Sequence, residues 1–256
     1  MKKIIFLLLV FHNFFSLPNQ EETKRELEDL RSDDIIILHT NDIHCWVEGL
    51  IGYSGLELYK KQLLTKYKNI ILVDAGDHIQ GHPFCYLSHG LSVIDIMNKI
   101  GYDVATLGDH EFDYGIPQLK ECEKLLNCGY ISSNFCFREN KTNIFPAYKI
   151  IEKGGKKIAF IGVSTPYSLT RTNLNTIVDN NGQSVYYFLT DEKNQELYER
   201  IQGYIDKLRN EEKADYVIIL SHLGFGMDIS EENSSINLLQ NPKNVSALMD
   251  GHSHSI

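Results

Sequence analysis

Hydrophobic residues in this chain come in short bursts, and most bursts run straight into a polar tip. Ile35-Ile36-Ile37-Leu38 leads into His39-Thr40-Asn41-Asp42-Ile43-His44, and Ile70-Ile71-Leu72-Val73 into Asp74-Ala75-Gly76-Asp77. Val104-Ala105-Thr106-Leu107 leads into Gly108-Asp109-His110-Glu111-Phe112-Asp113-Tyr114-Gly115. Residues 216–220 lead into Ser221-His222, and residues 245–249 into Asp250-Gly251-His252-Ser253-His254. Unbroken, β-branched runs of this length predict strands buried on both faces, as in a parallel sheet. Between them the spacing turns helical: Leu56, Leu58, Tyr59, Leu63 and Leu64; then Val93, Ile94, Met97 and Ile100, with Gly101 as a stop. Pro117 belongs in the first turn of a helix carrying Leu119, Leu125 and Leu126. The clearest helix spans 191–212, where Leu197, Ile201, Ile205 and Leu208 share a face. Residues 130–135 read as a short strand, 148–152 and 156–163 as a hairpin across Gly154-Gly155, and 170–183 as a long surface loop.

In a sheet whose main strands run parallel, every C-terminal strand end lies on one edge, and ligands bind there. The five tips therefore converge. A single histidine or aspartate after a strand is most often a hydrogen-bonded surface group, a turn residue or a cap. That explanation does not make nearly every buried strand end the same way.

Composition narrows the setting. With 256 residues, 43% hydrophobic, the chain has room for one large domain and a substantial core. A net charge of -9 and no concentrated run of Lys and Arg argue against nucleic-acid binding. Two lysines followed by a short apolar run predict a signal peptide over 1–18, too short and interrupted by His12 and Asn13 for a membrane span, hence export and no stable span after cleavage. Residues 19–34 read as a solvated, charged lead-in, and 35–256 as the folded domain. Five cysteines remain, of which Cys122, Cys128 and Cys136 are close in sequence, so a disulfide is expected among these three. Cys45 is expected to pack, and no C-x-x-C spacing favours a zinc site. Sequons at Asn140, Asn233 and Asn244 fit a secreted glycoprotein. His12, His78, His82 and His89 fall outside the strand-end pattern and are expected to be structural or surface groups.

Imidazole and carboxylate donors without thiolates suit Zn, Mn, Fe or similar divalent ions. Asp42, His44, Asp77, Asp109, His222, His252 and His254 are too many for one open site and about right for two ions sharing a carboxylate. Two such ions would clamp the oxygens of an in-line phosphoryl displacement and acidify a shared water.

Asp42-x-His44, Gly76-Asp77, Gly108-Asp109-His110-Glu111, His222 and Gly251-His252-Ser253-His254 resemble the signature of the calcineurin-like metallophosphoesterases. The longer forms around His39 and His110, with Ser133-Asn134-Phe135, are similar to the 5′-nucleotidase branch. The resemblance implies an α/β fold, a four-layer α/β/β/α sandwich of two mixed sheets. It also implies two divalent metal ions as cofactors: Asp42, His44 and His254 on the first, Asp109, His222 and His252 on the second, and Asp77 bridging. His110 would stabilise the transition state or protonate the leaving oxygen, with Asp113 orienting it. The expected activity is hydrolysis of small phosphate monoesters, first of all nucleoside 5′-monophosphates. The alternatives are a nucleoside di- or triphosphatase, a 2′,3′-cyclic phosphodiesterase on the same site, or a non-catalytic binding protein that keeps the fold. The family usually has Asn at the position of Asp109, which gives a metal a neutral carbonyl and can turn its amide toward phosphate. A carboxylate there adds negative charge and is expected to lower turnover or alter metal preference. The family's 5′-nucleotidases also carry a C-terminal domain that holds the nucleoside, and with the sequence ending at Ile256 that domain is expected to be absent here.

Overall fold

The computed structural model describes residues 4–10, 30–48, 52–190, 193–226, 229 and 233–254. The first sheet has the order β1-β2-β3-β4-β5, with β1 Ile4–Val10, β2 Ile35–Asn41, β3 Asn69–Asp74, β4 Val104–Thr106 and β5 Tyr130–Ile131. All its described pairs are parallel. The second sheet has the order β11-β10-β8-β7, from β7 Tyr148–Lys153, β8 Lys156–Ser164, β10 Tyr216–His222 and β11 Ala247–Met249. It is mixed: β7 and β8 form the expected antiparallel hairpin, and β8, β10 and β11 run parallel. Two positive-φ glycines, Gly154 and Gly155, make the hairpin turn.

The sheets pack face to face. Ile35, Ile37, Ile71 and Val73 meet Ile158, Phe160, Ile218 and Leu220 in the central layer. The alternate residues of β2, Ile36 and Leu38, face outward onto helices α1 Tyr53–Leu64, α3 Leu91–Ile100 and α4 Ile116–Leu125. The outer face of the second sheet is covered by the long helix α6 Gln195–Asn210, through Leu197, Ile201, Ile205 and Leu208. This is the α/β/β/α layering the resemblance implies. Period-2 alternation explains why β2 shows no polar positions before its tip: both of its faces are core. Each fully buried Ile or Leu here contributes about 1.5–3 kcal/mol of burial free energy. Gly101, at φ +80°, ends α3, and Pro117 lies in the first turn of α4.

Four expectations change. In α1 the buried residues are Tyr53, Leu56 and Leu63, while Leu58 and Leu64 point to solvent; three- and four-residue spacing also admits this rotated face. Residues 170–183 are not one loop. They hold the end of α5 Ser168–Arg171, a 3-10 turn at Leu174–Thr176 and a β-bridge from Val178 to Ser184, and they precede β9 Tyr186–Phe188, which pairs antiparallel with β6 Phe135–Phe137. The disulfide joins Cys45 to Cys85, with Cα atoms 6.1 Å apart, whereas Cys122, Cys128 and Cys136 are free. Neighbouring parallel strands β2 and β3 bring their following loops together, so residues 40 apart in sequence meet. Cys122 and Cys136 instead face the core from different elements, α4 and β6. Asp34, at the end of the charged lead-in, is buried and accepts from Arg31 (Nη2 to Oδ1, 2.9 Å).

Ile4–Val10 lie parallel to Ile35–Asn41 as an edge strand, so part of the run predicted as a signal occupies the sheet margin. Residues 11–29, with most of the lead-in and His12, lie outside the described residues. Among the described residues no helix is long and apolar enough to cross a membrane.

Candidate metal centre

The C-terminal ends of β2, β3, β4, β10 and β11 bring all seven predicted ligands together between the two sheets. Asp42 N–H donates to the Gly76 carbonyl and His44 N–H to that of Asp77, both at 3.0 Å, so the loops after β2 and β3 are tied to each other. The backbone here is left-handed at Asp42 (φ 52°), His44 (48°), Asp77 (61°), His252 (77°) and His254 (52°). Non-glycine residues seldom adopt that region, and such strain collects at functional sites. Gly108 is needed for close approach: a Cβ there would collide with the Asp77 carboxylate.

Three groups of donors result, of which one, His44, Asp77 and His110, overlaps the other two. Asp77, Asp109, His222 and His252 each offer an atom within 4.8 Å of the others, and so do Asp42, His44 and His254. Asp77 stands between them. Its Oδ2 is 3.1 Å from His222 Nε2 and 4.0 Å from His44 Nε2. His222 Nε2 is 3.8 Å from Asp42 Oδ1, and His254 Nε2 is 3.3 Å from the same oxygen. Asp109 Oδ1 takes His252 Nδ1 at 2.9 Å and lies 3.5 Å from His222 Nε2.

The imidazoles are oriented from behind. His222 Nδ1 donates to the Ala75 carbonyl at 2.5 Å and His44 Nδ1 to that of Gln80 at 3.0 Å. Both Nε2 atoms are thereby turned on the carboxylates, the usual support of a metal-ligating histidine. His222 Nε2 is fully buried without a well-aligned hydrogen-bond partner. Burial opposes charge on Asp42 and Asp109, yet the surrounding imidazoles win and hold both below the usual carboxylate range. Burial likewise opposes a proton on His222, and the carboxylates of Asp77, Asp109 and Asp42 raise its pKa well above normal. Three buried carboxylates thus draw positive charge into their midst, and the oxygen and imidazole donor set fits divalent ions.

Beside this centre, His110 Nδ1 donates to Asp113 Oδ2 at 2.7 Å, and His110 N–H donates to Asp77 Oδ1 at 2.9 Å. Burial alone would lower the His110 pKa, but the Asp113 hydrogen bond and the charges of Asp77 and Asp113 raise it to about 9. Glu111, between them in the motif, points the other way, into the core. It accepts N–H groups from Asp77, His78, Ile79 and Gly108 at 2.8, 2.8, 3.3 and 2.6 Å. His78 completes the support: fully buried, it donates to Asp74 Oδ1 (2.8 Å) and meets the Tyr130 hydroxyl (2.8 Å).

Comparison with known proteins agrees with this geometry. Residues 35–255 match the calcineurin-like phosphoesterase family. The chain belongs to that family. The venom 5′-nucleotidase of Crotalus adamanteus is 28% identical over 242 residues, covering 88% of this chain and 37% of the relative. A 2′,3′-cyclic-nucleotide 2′-phosphodiesterase/3′-nucleotidase of Haemophilus influenzae is 28% identical over 255 residues, covering 87% and 36%. The structure of a 5′-nucleotidase precursor from Thermus thermophilus superposes with a TM-score of 0.67 at 27% identity, over 86% of this chain and 42% of that one. The chain spans less than half the length of these curated relatives.

Outside the predicted set, the structure adds Arg171, whose Nε lies 3.1 Å from Asp109 Oδ2. Arg171 sits at the end of α5 in a polar stretch whose spacing marks no partner. His82 caps the short helix α2 Pro83–Tyr86, accepting from Phe84 N–H, and His89 stacks on Tyr114, so both are structural as expected. His39 is buried with Nε2 unpartnered, and burial pushes its pKa down to about 4 despite the nearby Asp42 charge. The unfolded chain therefore takes up a proton near pH 6.5 that the folded chain refuses until about pH 4. The stability this residue contributes is complete above pH 6.5 and is lost as pH falls toward 4. Urea unfolding will show wild type losing about 2 kcal/mol relative to His39→Gln between pH 7 and pH 5. A pH-independent difference contradicts this reading.

Proposed function

We propose that this chain is the catalytic domain of an exported metal-dependent phosphoesterase that hydrolyses phosphate monoesters, first of all nucleoside 5′-monophosphates. The observation that carries it is the meeting of two donor groups at Asp77 directly beside the His110–Asp113 pair. Asp42, His44 and His254 would hold one divalent ion and Asp109, His222 and His252 the other, with Asp77 shared. Such ions, when bound, neutralise phosphate charge and acidify water.

The chain's own residues do the rest. Asp113 fixes the His110 ring through Nδ1, so Nε2 is turned to the donor side, 3.9 Å from Asp109 Oδ2, where it can donate to the oxygen that leaves phosphorus. The His110–Asp77 backbone hydrogen bond locks that ring relative to the shared carboxylate. The names of the relatives support nucleotides as substrates. The Haemophilus relative, at equal identity, favours a cyclic phosphodiester as the second substrate class.

The test compares metal-loaded protein with His110→Ala on p-nitrophenyl phosphate, bis-p-nitrophenyl phosphate and AMP. We expect kcat on the monoester to fall about 100–1,000-fold in the variant. Parent activity confined to the diester would move the assignment to the cyclic class. Absence of His110-dependent turnover with every metal would leave a non-catalytic binding protein.

Residues 1–18 as an export signal and 35–256 as the phosphoesterase domain complete the proposal. N-terminal sequencing of the protein recovered outside the cell will begin past residue 18 or nearby. An intact Met1 would contradict cleavage and leave Ile4–Val10 as a permanent edge strand.

A further inference from the structure

The two oxygens of Asp109 face different surroundings. Oδ1 lies toward the donor group, 2.9 Å from His252 Nδ1 and 3.5 Å from His222 Nε2. Oδ2 faces two other side chains, 3.1 Å from the half-exposed Arg171 at Nε and 3.9 Å from His110 Nε2. The carboxylate is 2% exposed and the arginine side chain 51%, so the guanidinium reaches in from the rim and keeps part of its surface in solvent. Its backbone belongs to α5, which packs on the 3-10 turn carrying His110.

An asparagine at position 109 could present an amide donor where Oδ2 now stands. A carboxylate presents an acceptor instead, and would repel an anionic substrate at the very place where His110 Nε2 has to work. Arg171 corrects both defects with one side chain. The guanidinium charge, 3.1 Å away at Nε, neutralises Oδ2, and the donors of the planar fork are left for a second oxyanion beside His110. We infer that Arg171 is a substrate-binding residue of this centre, held by Asp109, and that it supplies the phosphate-facing donor which the carboxylate at position 109 cannot. The inference rests on the phosphoesterase reading above and names its phosphate contact. The ligand class is a tetrahedral dianion, as in a terminal phosphate monoester.

The test separates phosphate binding from both turnover and metal binding. Calorimetry on the full chain would measure divalent-metal affinity, and then affinity of the metal-loaded protein for inorganic phosphate. The variants are Arg171→Gln, Arg171→Lys, Asp109→Asn and the Asp109→Asn/Arg171→Gln double variant, each checked by thermal melting. Arg171→Gln is expected to weaken phosphate about tenfold or more while metal affinity moves by less than about threefold. Arg171→Lys should recover part of the loss, because it restores the charge without the fork. Adding Asp109→Asn to Arg171→Gln should also recover part of it, since the uncompensated carboxylate is then gone. In turnover the same variant should raise KM for p-nitrophenyl phosphate more than it lowers kcat.

Phosphate affinity of Arg171→Gln within about twofold of the parent would overturn the assignment while leaving the phosphoesterase reading intact. A parallel fall in metal affinity would also overturn it, making the ion pair a structural support of the ligand. A parent that binds no phosphate and hydrolyses none of the esters would overturn both readings together.

Discussion

Asp77→Asn will lower phosphate-monoester hydrolysis by about 1,000-fold or more and strip divalent metal from the protein, with little change in melting temperature. The substitution keeps the side-chain shape and can keep the bond from His110 N–H to Oδ1. What it removes is the charge at Oδ2, the atom 3.1 Å from His222 Nε2 and 4.0 Å from His44 Nε2. Asp42 Oδ1, 3.8 Å from His222 Nε2, is the other carboxylate near these histidines, but Asp77 belongs both with Asp109, His222 and His252 and with His44 and His110, so losing its charge weakens the donors on both sides. Metal analysis after dialysis, beside kcat, reads the effect. Undiminished metal content with rates within about tenfold of the parent would mean that Asp77 is not shared between ions.

Glu111→Gln will destabilise the fold by about 3–5 kcal/mol, almost as much as Glu111→Ala, although glutamine is isosteric. Each glutamate oxygen accepts twice: Oε1 from His78 and Ile79, Oε2 from Asp77 and Gly108. Whichever way a glutamine is turned, its NH2 faces two backbone N–H donors in a buried site. The substitution also deprives the His78 cation of one of its two carboxylates. Burial works against that cation, and Glu111 and Asp74 together raise its pKa to about 9. Urea unfolding at pH 7 measures the loss; a difference under about 1 kcal/mol would show that these bonds are replaceable. Because Glu111 ties the Asp77 loop to Gly108, metal affinity should fall as well.

These two residues show what the sequence makes legible and what it does not. Asp77 follows a run of apolar residues, and strand direction alone assigns it to the ligand edge. The same local logic recovers both sheets' main strands, the hairpin at Gly154-Gly155 and the helix carrying Ile201 and Ile205. Glu111 sits in the tip after the next strand, β4, but its neighbours in sequence give no sign that it turns inward to gather four backbone donors. Cys45 and Cys85 meet because β2 and β3 are neighbours, a fact of sheet order that cysteine spacing does not carry. Nearness in sequence pointed instead to Cys122, Cys128 and Cys136, which are free. Arg171 was hidden for the same reason. It reaches Asp109 across 62 residues of chain, from a stretch with no periodicity to mark it. Strand β9 lies in the aromatic run Val185-Tyr186-Tyr187-Phe188-Leu189, a β-prone stretch just past the polar residues 170–183, and its three residues pair with β6.

The central claim is that one carboxylate serves two ions at this edge. Anomalous diffraction from crystals of the protein loaded with Mn²⁺ tests it most directly. Two peaks flanking Asp77 are expected, one among Asp42, His44 and His254 and the other among Asp109, His222 and His252. A single peak, or manganese bound away from Asp77, would contradict it.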